Sequence, residues 1–326
     1  IIDGNQSGSV VTLINAEDTA TLCGFTIQNG HASGYFPNGG VGGGVKCSSS
    51  PTLKNLIIRN NSANQYGGGM FLQGNPVLLN LLITNNYSAD KGGGILLLSS
   101  SPDIFNVVII GNSTSTYGGG ISCNSGSPNL FNVTISGNTA QVGGGISCNN
   151  FGISIINSII YNNSALSGGA QLNVSSGGFD ITYSNIEGGW SGIGNIDVDP
   201  LFVDTANGDY RLSNFSPCIG AGLDTSIVSA YDLDGNPRPN PAGSNPDMGA
   251  YENALAMPDA LGCMDSLATN YNASANISDI SCTFCYASAD IGADTISGCD
   301  SVLITTNTIT NGSYSWNTSN PITMSA

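Results

Sequence analysis

Short apolar runs alternate with clusters of Gly, Ser, Asn and Pro through the first half of the chain, and the alternation has a fixed period. Glycine clusters begin at Gly42, Gly67, Gly92, Gly118, Gly143 and Gly168, at intervals of 25, 25, 26, 25 and 25 residues. Segments such as GGGMFLQGNPVLLNLLITNNYSADK and GGGISCNSGSPNLFNVTISGNTAQV align along their length. The apolar runs are rich in β-branched residues and too short for helical spacing, so they read as strands. A repeat of about 25 residues with three short strands is the coil of a parallel β-helix, in which each coil pairs with its neighbours. The expectation is an all-β solenoid of about seven coils.

Equal phase in successive coils stacks residues into columns about 4.8 Å apart. Ile27, Ile58, Ile83, Ile109, Ile135 and Ile160 form one column, which only an inward, packed position explains. Two residues earlier, Phe25, Leu56, Leu81, Val107 and Val133 share the inward face, as strand alternation requires. Cys47, Cys123 and Cys148, with Leu72 and Leu97 between them, form a third inward column, the thiols acting as small apolar groups. Asn55, Asn80, Asn106, Asn132 and Asn157 make a fourth, and Asn61, Asn86, Asn112, Asn138 and Asn163 a fifth. Stacked amides hydrogen-bond from coil to coil, and Asn accepts the left-handed backbone of a sharp corner. The glycine clusters are corners too, since no helix follows them to make a phosphate cradle.

Charge narrows the field of partners. The chain carries 22 Asp plus Glu against six Lys plus Arg, a formal net charge of −16. That excludes nucleic acid, which requires a basic patch. No apolar stretch reaches membrane-spanning length and no signal peptide is present. Ile1 falls inside a strand pattern, IIDGNQSGSVVTL, and the chain stops abruptly at Ala326, so a fragment of a longer extracellular protein is expected. Cys263, Cys282, Cys285 and Cys299 follow the repeats in a loop-rich stretch with little core, where disulfides replace packing. A Cys263–Cys282 disulfide is expected, with Cys285–Cys299 as a second pairing. Zinc is the alternative, but the one CxxC lacks a second pair at zinc spacing.

The segments DVDPLF, GDYRLSNFSPCIGAG, DLDGNPRP and PDMGAYE resemble the "choice-of-anchor Q" region of bacterial secreted proteins, and IIDGNQSGSVVTL and GFTIQNG resemble the same family's helical part. The glycine and F-N spacing is similar, more loosely, to repeats of chlamydial polymorphic outer-membrane proteins. The first resemblance covers roughly residues 1–253 and implies a right-handed parallel β-helix of the pectin-lyase-like superfamily. GCMDSLATNYNASANISDISC resembles a short Cys-bounded repeat of marine Bacteroidetes surface proteins, and the tail is similar to modules that precede type IX secretion sorting domains. Together these imply a bacterial cell-surface or extracellular protein handled by outer-membrane export and anchoring machinery. Asp-Ser/Thr-apolar triplets at Thr19, Thr205, Ser266, Thr295 and Ser301 resemble that phylum's O-glycosylation signal. The domain reading is a parallel β-helix over 1–187, an irregular cap over 188–253, a Cys-bounded repeat over 254–285 and a partial β (Ig-like) module over 286–326.

Many β-helices cleave polysaccharides, a chemistry that requires catalytic groups on the coils. A lyase needs a base and often calcium ligands; the helix offers Lys46, Lys54, Arg59 and Lys91 with no Asp cluster in the same coils. A hydrolase needs paired carboxylates, and Asp90 and Asp103 differ in phase. His31 lacks the partners of a triad. Apolar residues at outward positions instead suggest a binding surface or a covered one: Phe71, Leu96 and Leu98 on one sheet, Ile57, Leu82, Val108 and Ile110 on another. Two loops are calcium candidates by their alternating oxygen ligands: Asp232, Asp234 and Asn236, and Asp265 with Asp279 in the Cys-bounded loop. The expected function is a non-catalytic rigid rod for adhesion or glycan contact. The alternatives are a polysaccharide lyase or hydrolase with part of its site outside this sequence, and a passive spacer or filament subunit.

Overall fold

The computed structural model describes residues 1–149, 152–174, 177–224 and 229–284, and divides into two compact units, Ile1–Pro258 and Asp259–Ala326. The first is a parallel β-solenoid carrying an irregular segment on one face. Seven strands, one per coil, make the first face: Val11–Leu13, Val45–Cys47, Met70–Leu72, Ile95–Leu98, Ile121–Asn124, Ile146–Asn149 and Leu172–Val174. The second face is built from longer strands, Thr52–Arg59, Val77–Thr84 and Asp103–Ile110, which divide in two in later coils. Two-residue strands such as Ser62–Ala63 and Tyr87–Ser88 close each coil. Pairing of Ile58 with Ile83, and of Ile83 with Ile109, sets the coil at 25 or 26 residues.

The inward columns are the core. Ile27, Ile58, Ile83, Ile109, Ile135 and Ile160 are fully buried. Ile2 and Ile186 extend the same column at its two ends, a continuation that the glycine period does not reveal. Leu56, Leu81, Val107 and Val133 are buried beside them. Phe25 departs from that column: it is 40 % exposed, because the strand before it, Ile2–Asp3, pairs only with Thr26–Gln28 and leaves Phe25 uncovered. The Cys47, Leu72, Leu97, Cys123 and Cys148 column is in register and buried. A hydrogen bond from Cys123 to the neighbouring Cys148, together with burial, holds the Cys123 thiol protonated well above the usual range.

The corners follow from residue chemistry. Asn55, Asn80, Asn106, Asn132 and Asn157 all have φ between 50° and 57°, so each second-face strand bends at an asparagine in the left-handed region. Gly67 has φ 64°, and a Cβ on Gly68 would lie 2.3 Å from the Tyr87 carbonyl oxygen, so the coils approach too closely there for a side chain. The inner asparagines form a buried amide ladder. Each Nδ2 donates to the next Oδ1, at 3.0 Å from Asn61 to Asn86, 2.9 Å to Asn112, 3.0 Å to Asn138 and 2.9 Å to Asn163. Asn163 then donates to Gln171 at 2.7 Å, and Gln171 donates to Glu187. The amide dipoles run head to tail, and a carboxylate terminates them at the donor end, where negative charge is favoured.

In the second unit, Cys263 and Cys282 form the expected disulfide, and Leu261–Gly262 pairs in parallel with Ile277–Ser278. Cys285 and Cys299, and the module over 286–326, lie outside the described residues.

Candidate functional site

On the first face, the outward positions Phe71 and Leu96 are roofed by the chain itself. The residue before each of the first five glycine clusters stacks in its own parallel series, Val41, Tyr66, Lys91, Tyr117 and Val142. Val41 of this series forms a small second core with Phe71 and Leu96, and Tyr66 and Leu98 pack against it. Phe36, from the Ser33–Gly40 loop, reaches over the same cluster, its ring 5.9 Å from that of Phe71. Phe71 and Leu96 are therefore buried, 0 % and 1 % exposed, and Leu98 is half-buried. Of the two alternatives, a binding surface or a covered one, the structure shows the covered one for Phe71 and Leu96: strand alternation places these side chains outward from the solenoid core but inside a second layer.

The second face is covered by the segment that follows the solenoid. Its hairpin, Phe202–Asp204 with Asp209–Leu212, and the loops to Leu255 lie across the outward positions. Tyr210 and Ala250 cover Val108 and Ile110, with Leu82 at the margin; Leu212, Cys218, Ile219 and Met248 cover Ile159. Val108 and Ile110 are thus buried and Leu82 half-buried, while Ile57 lies one coil beyond and is 38 % exposed. Backbone matching completes the contact. Asn106 donates to the Tyr231 carbonyl at 2.6 Å and Asn132 to that of Asp247 at 3.1 Å. Asn157 exchanges two 2.8 Å bonds with Leu223. The outer asparagine column is a corner device for the solenoid and a docking edge for the cap.

A charged cluster holds the cap's centre. Arg238 meets Glu252 at 2.6 Å with both side chains fully buried, and donates to the Asp247 and Gly249 carbonyls. Asp232 and Asp247 are also buried. Asp247 accepts from the Gly220 and Asn253 amides at 2.7 and 2.6 Å. Burial, reinforced by the charge of Glu252, pushes its carboxyl up to about 7. Glu252 is likewise raised by burial, with Arg238 opposing. Burial pushes the Cys218 thiol, in the layer between cap and solenoid, up to about 12. Sequence reasoning passed over Arg238, Asp247 and Glu252 as a unit; the signal was present in the DLDGNPRP and PDMGAYE segments that carry them.

The calcium candidates are placed as follows. Asp232 accepts from the Asn236 backbone at 2.7 Å, the Asn236 amide at 3.0 Å and the Glu252 backbone at 2.8 Å, which closes a buried turn. Asp234 forms a two-pronged ion pair with Arg211, at 2.7 and 3.0 Å, and Arg211 lies over Tyr251. These oxygens already face N–H donors, an arrangement that does not fit a cation. Asp265 and Asp279 accept from the backbone amides of Leu267 and Ser281 in separate turns. Among the described residues, no three His, Cys, Asp or Glu side chains gather as metal ligands would.

The catalytic candidates do not converge. His31 bonds Ser62, Arg59 bonds Gln28, Lys91 lies over the Tyr117 ring, Asp90 accepts from Thr116 and Asp103 from Asn129. Thr19, Thr205 and Ser266 are exposed, as modification requires, while Thr295 and Ser301 lie outside the described residues. Surface cavities among the described residues are the remaining candidates. One of about 360 Å³ lies at the ladder's end beside Glu187 and Trp190. Another of about 310 Å³ lies between Ile110 and Tyr210. A third, of about 250 Å³, contains Lys46. Among the described residues, no helix is long and apolar enough to cross a membrane. No protein-family model matches the chain, and searches of curated proteins and of solved structures find no match to it.

Proposed function

We propose that this is a non-catalytic extracellular surface protein whose solenoid serves as a rigid scaffold for adhesion or glycan contact. The observation that carries the reading is the commitment of the solenoid's polar side chains to one another. The buried amide ladder runs through successive coils from Asn61 to Asn163, and most candidate acids and bases on the surface bond their neighbours. Such a molecule resists deformation and presents a fixed surface. The Cys263–Cys282 disulfide supports an oxidising, extracellular setting. Cell-surface export and anchoring machinery, and Asp-Thr glycosylation at exposed Thr19 and Thr205, are partners and modifications consistent with that setting.

The test is a panel of immobilised and soluble polysaccharides, scored both for retention of the protein and for release of unsaturated or reducing ends. Saturable retention without release is the expected result. A second reading, polysaccharide cleavage, draws on one observation: Lys46 has no ion-pair partner among the described residues and lies at a cavity. Turnover that disappears in Lys46→Ala would establish that reading and overturn the first.

A further inference from the structure

The first coil carries an insertion ahead of its glycine cluster. Eight residues separate Ala32 from Val41, where two separate the paired Ala63 from Tyr66 in the next coil. Insertions in a solenoid map to loops on one face, and such loops often carry its binding groups. This loop is pinned in place. Phe36 packs on Phe71 and Tyr66, the Phe36 amide donates to Gln65 at 2.6 Å, and the Gly39 and Gly40 amides close turns onto Tyr35 and Ser33. Under it lies the cavity of about 250 Å³ lined by Ser9, Thr12, Ser33, Asn38, Val41 and Lys46. The chemistry there differs from the rest of the solenoid. Ser9 donates to the Val41 carbonyl, but the side chains of Thr12, Ser33, Asn38 and Lys46 make no hydrogen bond or ion pair to any described residue. No carboxylate lines the cavity, in a chain of net charge −16.

We propose that this cavity binds an oxyanion, a sulfate or carboxylate group borne on a hydroxyl-rich molecule. The Lys46 ammonium supplies the counter-charge, and Thr12, Ser33 and Asn38 supply neutral donors. The size restricts the ligand: a pocket for a drug-sized molecule is roughly 300–1,000 Å³, so this one admits a single substituted ring or one acidic side chain. The protein's net charge disfavours an extended polyanion. The oxyanion site stands on its own geometry; only the carrier, a sugar, rests on the glycan-contact reading.

The whole chain is titrated by ¹⁵N NMR with sodium sulfate against sodium chloride at equal ionic strength. A monosaccharide sulfate, a uronic acid and the neutral monosaccharide follow as separate arms. Saturable shifts at the Ser33, Asn38 and Gly40 amides are expected with sulfate and with both acidic sugars, and not with chloride or the neutral sugar. Which acidic sugar binds tighter assigns the natural group. Lys46→Gln is expected to weaken binding roughly tenfold or more, the loss of one charge-assisted hydrogen bond, while Lys91→Gln leaves it unchanged. Absence of saturable shifts, equal response to the neutral sugar, or full binding by Lys46→Gln overturns the site. Glycan retention elsewhere on a protein that ignores sulfate removes this inference and leaves the adhesion reading. Sulfate binding without glycan retention does the reverse.

Discussion

In the solenoid an isoleucine at one position is answered by an isoleucine one coil away, and an asparagine by an asparagine. In the segment that lies across its second face no residue recurs, and the centre is Arg238 against Glu252 at 2.6 Å without solvent. The solenoid distributes its stability over many equivalent contacts, so removing one leaves its neighbours in place. The cap concentrates its polar order in one buried cluster, where each charge depends on the others. The two therefore differ in what breaks them.

The largest effect is expected from Arg238→Met. It leaves Asp232, Asp247 and Glu252 buried without a counter-charge, a loss on the order of 3–5 kcal/mol. Denaturant unfolding should show an early transition, accompanied by dye binding to the uncovered Val108 and Ile110. A single late transition would show that the cap does not depend on the pair. Within the solenoid, Asn112→Ala interrupts the ladder and strands the Asn86 amide donor, costing about 1–3 kcal/mol. Its effect should fall on the main transition alone.

Acidity separates the regions further. Asp247 has its folded value raised to about 7 from an ordinary 3.8. A raised carboxyl means that the folded state keeps a proton the unfolded chain has released. This contribution is complete below about pH 4 and declines as pH rises to about 7, with a slope of at most about 1.4 kcal/mol per pH unit. The cap's melting temperature should fall over that interval, and Asp247→Asn should flatten the dependence. A cap that gains stability with rising pH would reverse the assignment. The smallest effect is expected from chelation. With Asp232 and Asp234 held by N–H donors and Arg211, EDTA should leave both transitions unmoved, and a shift of several degrees would restore a calcium role.

The same contrast explains what could be read from the chain alone. Periodic features were legible because each is stated many times: the isoleucine column, the ladder asparagines and the buried Cys47, Cys123 and Cys148 phase all hold. That the stretch after the repeats holds a disulfide was legible from the scarcity of core there, and the expected Cys263–Cys282 pairing is the one formed. For Phe71, Leu96, Val108 and Ile110 the sequence left a binding surface and a covered one open, because alternation within a strand distinguishes inward from outward but says nothing of a second layer. Phe25 failed for the complementary reason: its phase is inward, yet a column's end lacks the neighbour that buries it. The Arg238 cluster, drawn from residues 232–252, and the Lys46 cavity, drawn from residues 8–46, are assembled by turns that occur once, so no repetition announces them. The Asp232 loop could be read either way from sequence, because alternating acids suit both a cation and a turn closed by N–H groups.

The most direct test of the central claim, a self-supporting solenoid with its outward apolar stripe covered by a cap latched through Arg238, is hydrogen exchange on the wild type and Arg238→Met. The account predicts that amides of the second-face footprint, around Val108, Ile110 and Ile159, lose protection in the variant. Amides of the first-face strands, such as Ile95–Leu98 and Ile121–Asn124, should keep theirs. Loss of protection throughout the solenoid, or an unchanged footprint, would contradict it.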